Sequence, residues 1–384
     1  MNKSVKYKFF DFLRRLFQTA FIVGVILASV IPFSCKVTTE GIQIIGGNYT
    51  PPVIESVKVV DEQTIRIDFS ESVFLKNIVV SPFIPGISDS ENHSGTEALS
   101  YALAAANGEK GKLEAEVESQ EEGKTHYIHL QEKTSIGKQY EVFGSVEDRI
   151  GNTLTFCIPF TGFNSKIPQV IMTEIQIKYQ KATVKGEVIY RGEYVEFLAL
   201  TDGNLAGLEL ISAADGNEKN YEFPPLDVKK GEVFLVHLRA IGEGCVNEDS
   251  ECLDLATAPH SKDGVRDLWG QENLSHFNDT SDVIMLRNMT DNSIIDAVMY
   301  AGAGVTEWKT TVAESAVRVY ESGLYPSYET SSATCSAGCT PLKSLTRVDS
   351  KELYDLVMDN EEYDFPVLSD ESAWCVMPAS PGVL

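Results

Sequence analysis

Residues 168–200 read PQVIMTEIQIKYQKATVKGEVIYRGEYVEFLAL, and the fold class follows from how that run is read. Its two ends, Val170–Ile175 and Tyr194–Leu198, are dominated by β-branched and aromatic residues, as strands prefer. Each of these strands carries one carboxylate inside an otherwise apolar run, Glu174 in the first and Glu196 in the second. A Glu in such a strand is costly to bury unless it is hydrogen-bonded or paired. Two readings stand: structural carboxylates that are solvated or accept backbone amides, or a pair that holds a cation or ligand. Neighbouring strands of one sheet bring the two acids close, which raises one pKa unless amides or a cation compensate. Compensation by amides is the expectation.

These residues resemble the lamin-tail domain, an immunoglobulin-like β-sandwich whose opening strands read like V-I-x-E-I and E-Y-V-E-L. The resemblance continues through Gly207–Leu210 and Tyr221–Pro224, through Leu226–Val236, and through Asp282–Leu286 with Ile295–Tyr300. It closes with Ser344–Arg347, Asp364–Phe365 and Ser380–Gly382. Lys230 stands where that family usually has Pro, and two insertions, Ala240–Phe277 and Ala301–Pro341, depart from its compact pattern. The resemblance implies a second sandwich domain over 168–384 with long loop insertions.

Upstream, residues 1–34 carry a basic start (Lys3, Lys6, Lys8, Arg14, Arg15) and an apolar run from Ala20 to Phe33 that ends at Ser34–Cys35. The run is short for a transmembrane helix and reads as a secretory signal. A Cys directly after a small residue there resembles a lipoprotein signal, which implies acylation of Cys35, although Ile31–Pro32–Phe33 departs from the usual box. Several acyl chains on one Cys anchor stably where a single chain is marginal. Residues 35–50, with Gly41, Gly46 and Gly47, read as a flexible tether. Residues 51–163 read as a first β domain: Val53–Val59 and Thr64–Phe69 alternate with period two. With Ser70–Val73, Tyr140–Val142 and Val146–Asn152, this stretch resembles the bacterial Ig-like modules of surface-layer proteins. Asp148 and Asn152 are expected to organise a turn in which Gly151 supplies the unusual dihedral. Pro85–Glu122 reads as a long loop, with a short helix over Ser100–Ala106.

The chain of 384 residues has 32 basic and 56 acidic residues, a net charge of −24. Without residues 1–34, 27 basic residues face 55 acidic ones, a net of −28. A nucleic-acid partner is excluded on that balance, because binding phosphates needs a basic surface. The acidic excess permits Ca²⁺, which takes oxygen ligands, but the only acidic loop of note is Asn247–Glu251 and no D-x-D-x-D-G loop occurs. Of seven cysteines, six remain if Cys35 is lipidated, an even number for an oxidising compartment. Cys245 with Cys252 and Cys335 with Cys339 are the local pairings expected, one in each insertion. Zinc at Cys335-x-x-x-Cys339 is disfavoured for want of a second ligand pair.

No G-x-S-x-G elbow, H-E-x-x-H, Walker loop or Rossmann fingerprint occurs. His126 and His129 are three apart on an expected strand and point to opposite faces. The expectation is therefore an all-β chain of two Ig-like sandwiches in tandem, not an enzyme. It is lipid-anchored in the cell envelope at the outer membrane, on the periplasmic face or the cell surface. The partner is a protein or glycan, met by the inserted loops. Two alternatives accompany it: a metal-dependent hydrolase built from His260, His276, Asp263, Asp267 and Asp279 in the 240–280 insertion, and a structural scaffold of the envelope.

Overall fold

The computed structural model describes strand residues 35–38 and 41–44 and residues 50–83, 112–213, 219–270 and 277–384. Residues 1–34 and the helix expected over Ser100–Ala106 lie outside the described residues. Within the stretch read as a tether, β1 (Cys35–Thr38) and β2 (Gly41–Ile44) pair antiparallel.

The first domain is a seven-stranded sandwich. Its strands are β3 (Ile54–Val59), β4 (Thr64–Phe69), β5 (Val73–Pro82), β6 (Ala115–Gln120), β7 (Thr125–Leu130), β8 (Gln139–Asp148) and β9 (Thr153–Thr161). They form two sheets, in the orders β3-β4-β7-β6 and β5-β8-β9. Period-two burial is cleanest in β4, where Ile65, Ile67 and Phe69 point inward and meet Ile128, Val142 and Val146. At the β8–β9 turn, Asp148 Oδ1 accepts from the backbone of Ile150 (2.9 Å) and Asn152 (2.8 Å), and Gly151 takes φ +95°. His126 is buried and His129 exposed, so the two do point apart. One expectation is corrected: β6 lies inside Pro85–Glu122, which reads as loop. Its sequence AEVESQ is polar because it is an edge strand, exposed over Glu116–Gln120.

In the second domain the chain continues through β10 (Val170–Gln176), β11 (Gln180–Val184), β12 (Glu187–Arg191), β13 (Tyr194–Ala199), β14 (Gly203–Asn204), β15 (Leu208–Ser212), β16 (Lys219–Glu222), β17 (Asp227–Val228) and β18 (Val233–His237). It then forms β19 (Arg266–Trp269), β20 (Ser281–Asn288), β21 (Ile294–Ala301), helix α1 (Thr310–Glu321), β22 (Thr334–Cys335), β23 (Lys343–Arg347), helix α2 (Ser350–Asp359) and β24 (Trp374–Pro378). A six-stranded sheet, β19-β18-β13-β10-β23-β24, faces a five-stranded sheet, β16-β15-β20-β21-β22. Val170, Met172, Val195, Phe197 and Phe234 of the first meet Leu208, Leu210, Ile284, Leu286 and Val298 of the second in one core.

Each sheet is also covered on its outer face. Val312, Ala316 and Val319 of α1, at i, i+4 and i+7, seat on Ile211, Val283, Met285 and Met299. Gly323, at φ +83° just past the last turn, lets the chain leave that helix. Leu353 and Val357 of α2 seat on Ile171, Leu198 and Leu200. The two insertions are therefore not plain loops. The 240–277 stretch adds β19 parallel to β18, and the 301–341 stretch supplies α1 and β22. Strands of four and two residues are too short to show a period, so the sequence shows only loop-like insertions there.

The domains meet closely. The Asn164 side-chain amide donates to the carbonyls of Asn204 (2.7 Å) and Ala206 (2.8 Å), seating the linker in the second domain. Gly137 abuts Pro225, and a side chain there would lie 2.3 Å from the Pro225 Cβ.

Candidate functional site

The outer face of the six-stranded sheet is apolar under α2 and mostly polar beyond it. Towards its other end the outward positions are Glu174 on β10, Tyr194 and Glu196 on β13, His237 on β18, Asp267 on β19 and Ser344 on β23, all buried. The 258–262 segment and the C-terminal residues 380–382 lie over them, through contacts from His260, Lys262, Ser380 and Gly382.

Glu174 and Glu196 are cross-strand partners, and each is 1 % exposed. Protein donors fill both. Glu174 accepts from the Tyr194 hydroxyl, from the Ser344 hydroxyl (2.6 Å), and from the backbone N–H (3.0 Å) and hydroxyl (3.1 Å) of Ser380. Glu196 accepts from the Thr173 hydroxyl and the Gly382 N–H, both at 2.6 Å. The carboxylates thus hold residues 380–382 against β10 and β13. Burial, reinforced by Glu174, pushes Glu196 up to about 7, and burial likewise raises Tyr194.

A bulge between Met172 and Glu174 sets this geometry. It leaves Thr173 without a partner on β13 and places its hydroxyl within reach of Glu196, while Met172 stays paired with Phe197. The β23 ladder reaches only Glu174 and Ile175, and side chains serve the backbone of Met172 beyond it: its N–H donates to Asp296 Oδ2 (2.6 Å) and its carbonyl accepts from Arg347 Nε (2.8 Å). Arg347 Nη2 donates to both Asp296 oxygens at 2.7 Å, and the guanidinium lies 4.7 Å from the Trp374 ring centre. Both charges are 1 % exposed. Asp296 belongs to the opposite sheet, so this ion pair ties the two layers together through the bulge.

Beside the carboxylates, His237 Nε2 bonds Asp267 Oδ1 at 2.5 Å and its ring stacks on Trp269. The His260 ring packs on Tyr194, and burial lowers its pKa to about 4. The hydrolase alternative needed His260, Asp263, Asp267 and Asp279 to converge. Instead Asp267 serves His237, Asp279 meets Lys178, and Asp263 is exposed; His276 lies outside the described residues. In the Asn247–Glu251 loop, Glu248 accepts the N–H groups of Leu255, Ala256 and Asp267 and so organises the insertion. Among the described residues no group of three or more His, Cys, Asp or Glu is placed to hold a metal ion.

Cys245, Cys252, Cys335 and Cys339 are free thiols, so neither expected bridge is closed in this structure. Cys339 is buried, which pushes its thiol up to about 11. Glu174 and Glu196 were readable as unusual; Tyr194, His237 and Ser344 were not singled out, although each sits at an outward period-two position of its strand. No described helix is long and apolar enough to cross a membrane.

The accessible concavity lies elsewhere. A cleft of about 1030 Å³ opens where the two domains meet, lined among others by Lys58, Phe160, Tyr221, Phe223, Asn247 and Trp269.

Residues 168–376 match the family described as "TP_1001_2nd: protein second domain", more than half of the 384 residues. The chain belongs to this family. Its matched region starts at the Pro168 that opens the second sandwich and ends within β24. Over 184 residues the chain is 26 % identical to an uncharacterized protein of Treponema pallidum (strain Nichols), covering 47 % of this chain and 44 % of that one. It thus spans less than half the length of that relative. Among solved structures, the N-terminal part of the bacterial S-layer protein SbsC is 20 % identical over 48 % of this chain and 40 % of that one, with a TM-score of 0.22. A DUF4876 family protein from Bacteroides thetaiotaomicron is 11 % identical over 60 % and 75 %, also at 0.22. Scores that low carry no argument about function.

The raised pKa of Glu196 has a measurable consequence. A carboxyl at about 4.5 in the unfolded chain and about 7 in the fold favours folding below pH 4.5, and that contribution is lost as pH rises to 7. Glu196→Gln keeps an acceptor for Gly382, and the Thr173 hydroxyl can reverse to accept. The stability difference between variant and wild type should therefore shift in favour of the variant across pH 4.5–7, by on the order of 3 kcal/mol. Urea unfolding at several pH values reads it; a pH-independent difference would refute the assignment.

Proposed function

We propose that the protein is a lipid-anchored envelope module that binds a protein or glycan and performs no chemistry on it. The observation that carries this reading is the contrast between the two polar regions. The titratable cluster on the six-stranded sheet is enclosed, and its carboxylates are filled by the protein's own donors. The larger cleft is instead open and lies at a domain junction, where ligand sites commonly form, and it is lined by aromatic rings and amides together with Lys58 and Glu222. Asn247, Trp269 and Gly270, from the 240–277 insertion, contribute to it, which gives that insertion a part in recognition.

The full chain should bind components of an envelope extract, and Tyr221→Ala or Asn247→Ala should weaken that binding at least fivefold with the fold unchanged. Chelator-sensitive turnover of any candidate substrate would overturn the non-catalytic reading.

The lipoprotein and lamin-tail resemblances support the anchor and the location. Metabolic labelling with a fatty acid should mark the wild type and not Cys35→Ser; equal labelling of both would remove the anchor from this proposal.

A further inference from the structure

The β11–β12 hairpin stands apart from both sheets of its domain and, among the described residues, pairs with no other strand. Lys181 and residues 183–188 are exposed, and the Lys185–Gly186 turn has φ of +52° and +94°. Residues 180–191 carry Lys181, Lys185 and Arg191 against the single acid Glu187, on a chain whose net charge is −24. Val184 and Val188 are 43 % and 49 % exposed with nothing packed on them to bury that surface. This is a solvated, two-edged, cationic β-ribbon.

The first domain offers its counterpart. β6 is the edge of the four-stranded sheet, and its Glu116 and Glu118 are exposed. Residues 114–123 hold Glu114, Glu116, Glu118, Glu121 and Glu122 with no Lys or Arg among them. Val117 is 36 % exposed at its centre. β6 has six residues, and each hairpin strand has five.

An unpaired edge is a template for another strand, and charge decides which partner it takes. β6 against β6 sets Glu against Glu, and hairpin against hairpin sets Lys against Lys. Only hairpin against β6 places opposite charges across the new ladder. We infer that the hairpin of one copy adds as a strand to the β6 edge of a second copy, giving a head-to-tail contact. Such a contact is heterologous, so it propagates into a ring or an open row rather than stopping at a dimer. Two short strands make a small interface, weak between free molecules and effective where copies are crowded on a surface. This goes beyond the proposed ligand role and does not depend on it, because it uses neither the cleft nor Cys35.

The test uses two differently tagged copies of the full chain in a neutral detergent, with one tag captured and the other quantified. At about 20 mM salt the second copy should be retained, and at about 500 mM retention should fall at least fivefold through screening. Lys181→Glu/Lys185→Glu alone, or Glu116→Lys/Glu118→Lys alone, should lower retention to background. Mixing those two reversed chains should restore it, because the unchanged hairpin of one then meets the unchanged edge of the other, and the two reversed surfaces also oppose with opposite charge. All four positions are exposed, so the variants should melt with the wild type; if a reversal does not, Lys181→Gln/Lys185→Gln should still reduce retention. Absence of retention at low salt, or retention indifferent to salt and to both reversals, would overturn the inference.

Discussion

Arg347→Ala should lower the stability of the second domain by about 3–5 kcal/mol, the range for breaking a buried ion pair by removing one partner. The loss has three parts. Asp296 is left charged and 1 % exposed, the Met172 carbonyl at the bulge loses its donor, and Trp374 loses the cation stacked on it. All three tryptophans, Trp269, Trp308 and Trp374, lie in the second domain, so urea unfolding followed by tryptophan fluorescence reads that domain alone. Asp296→Ala should cost a comparable amount, since it strands the guanidinium and the Met172 N–H. The double variant Arg347→Met/Asp296→Leu should recover a large part of either loss, because it removes both charges together. A single-variant loss below about 1 kcal/mol would mean that the pair does not hold the bulge.

The second large effect is expected at Glu174. Glu174→Ala strips the acceptor from the Tyr194 and Ser344 hydroxyls and from the N–H and hydroxyl of Ser380. A buried donor left unsatisfied costs about 1–3 kcal/mol, and several are lost at once, so the domain should be destabilised by roughly 3 kcal/mol or more. The C-terminal residues should also detach locally before the domain unfolds. Carboxypeptidase should then trim residues 379–384 from Glu174→Ala under conditions where the wild type stays intact. Ser380→Ala, which removes one hydroxyl and leaves the N–H, should cost only about 1 kcal/mol and leave the end protected. Equal trimming of wild type and Glu174→Ala would show that Glu174 does not hold the end.

Much of this fold was legible because its central strands are written in period two. Val170, Met172, Val195 and Phe197 point into the core, and the interruptions at Glu174 and Glu196 fall on the outward positions. The recurring pieces at Asp296, Ser344, Arg347 and Ser380–Gly382 were visible as a resemblance, without the reason for each. Their joint role appears only when a bulge at Thr173 turns the strand and distant residues bond the backbone of Met172 beside it. β6 was hidden because an exposed edge strand has no apolar face to show. Helix α1 left a signal, Val312, Ala316 and Val319, inside an insertion that otherwise looked like loop. The His237–Asp267 contact was beyond reach because a four-residue parallel strand places it across 30 residues of chain.

The carboxylate clamp also sets the order in which the domain can be made. Glu174 lies near the beginning of the second domain and receives its donors from Ser380, 206 residues later. Contacts of such long range close late, after the entropy of the intervening loop has been overcome. While the chain emerges from a ribosome or threads a pore N-terminus first, the polar face of the six-stranded sheet lacks this cover until residues 380–382 arrive. The first domain, whose strands end at Thr161, has by then had all its partners for more than 200 residues of synthesis. The second domain is thus completed only once Gly382 is available, so a chain that stops before Ser380 leaves both acids without these donors.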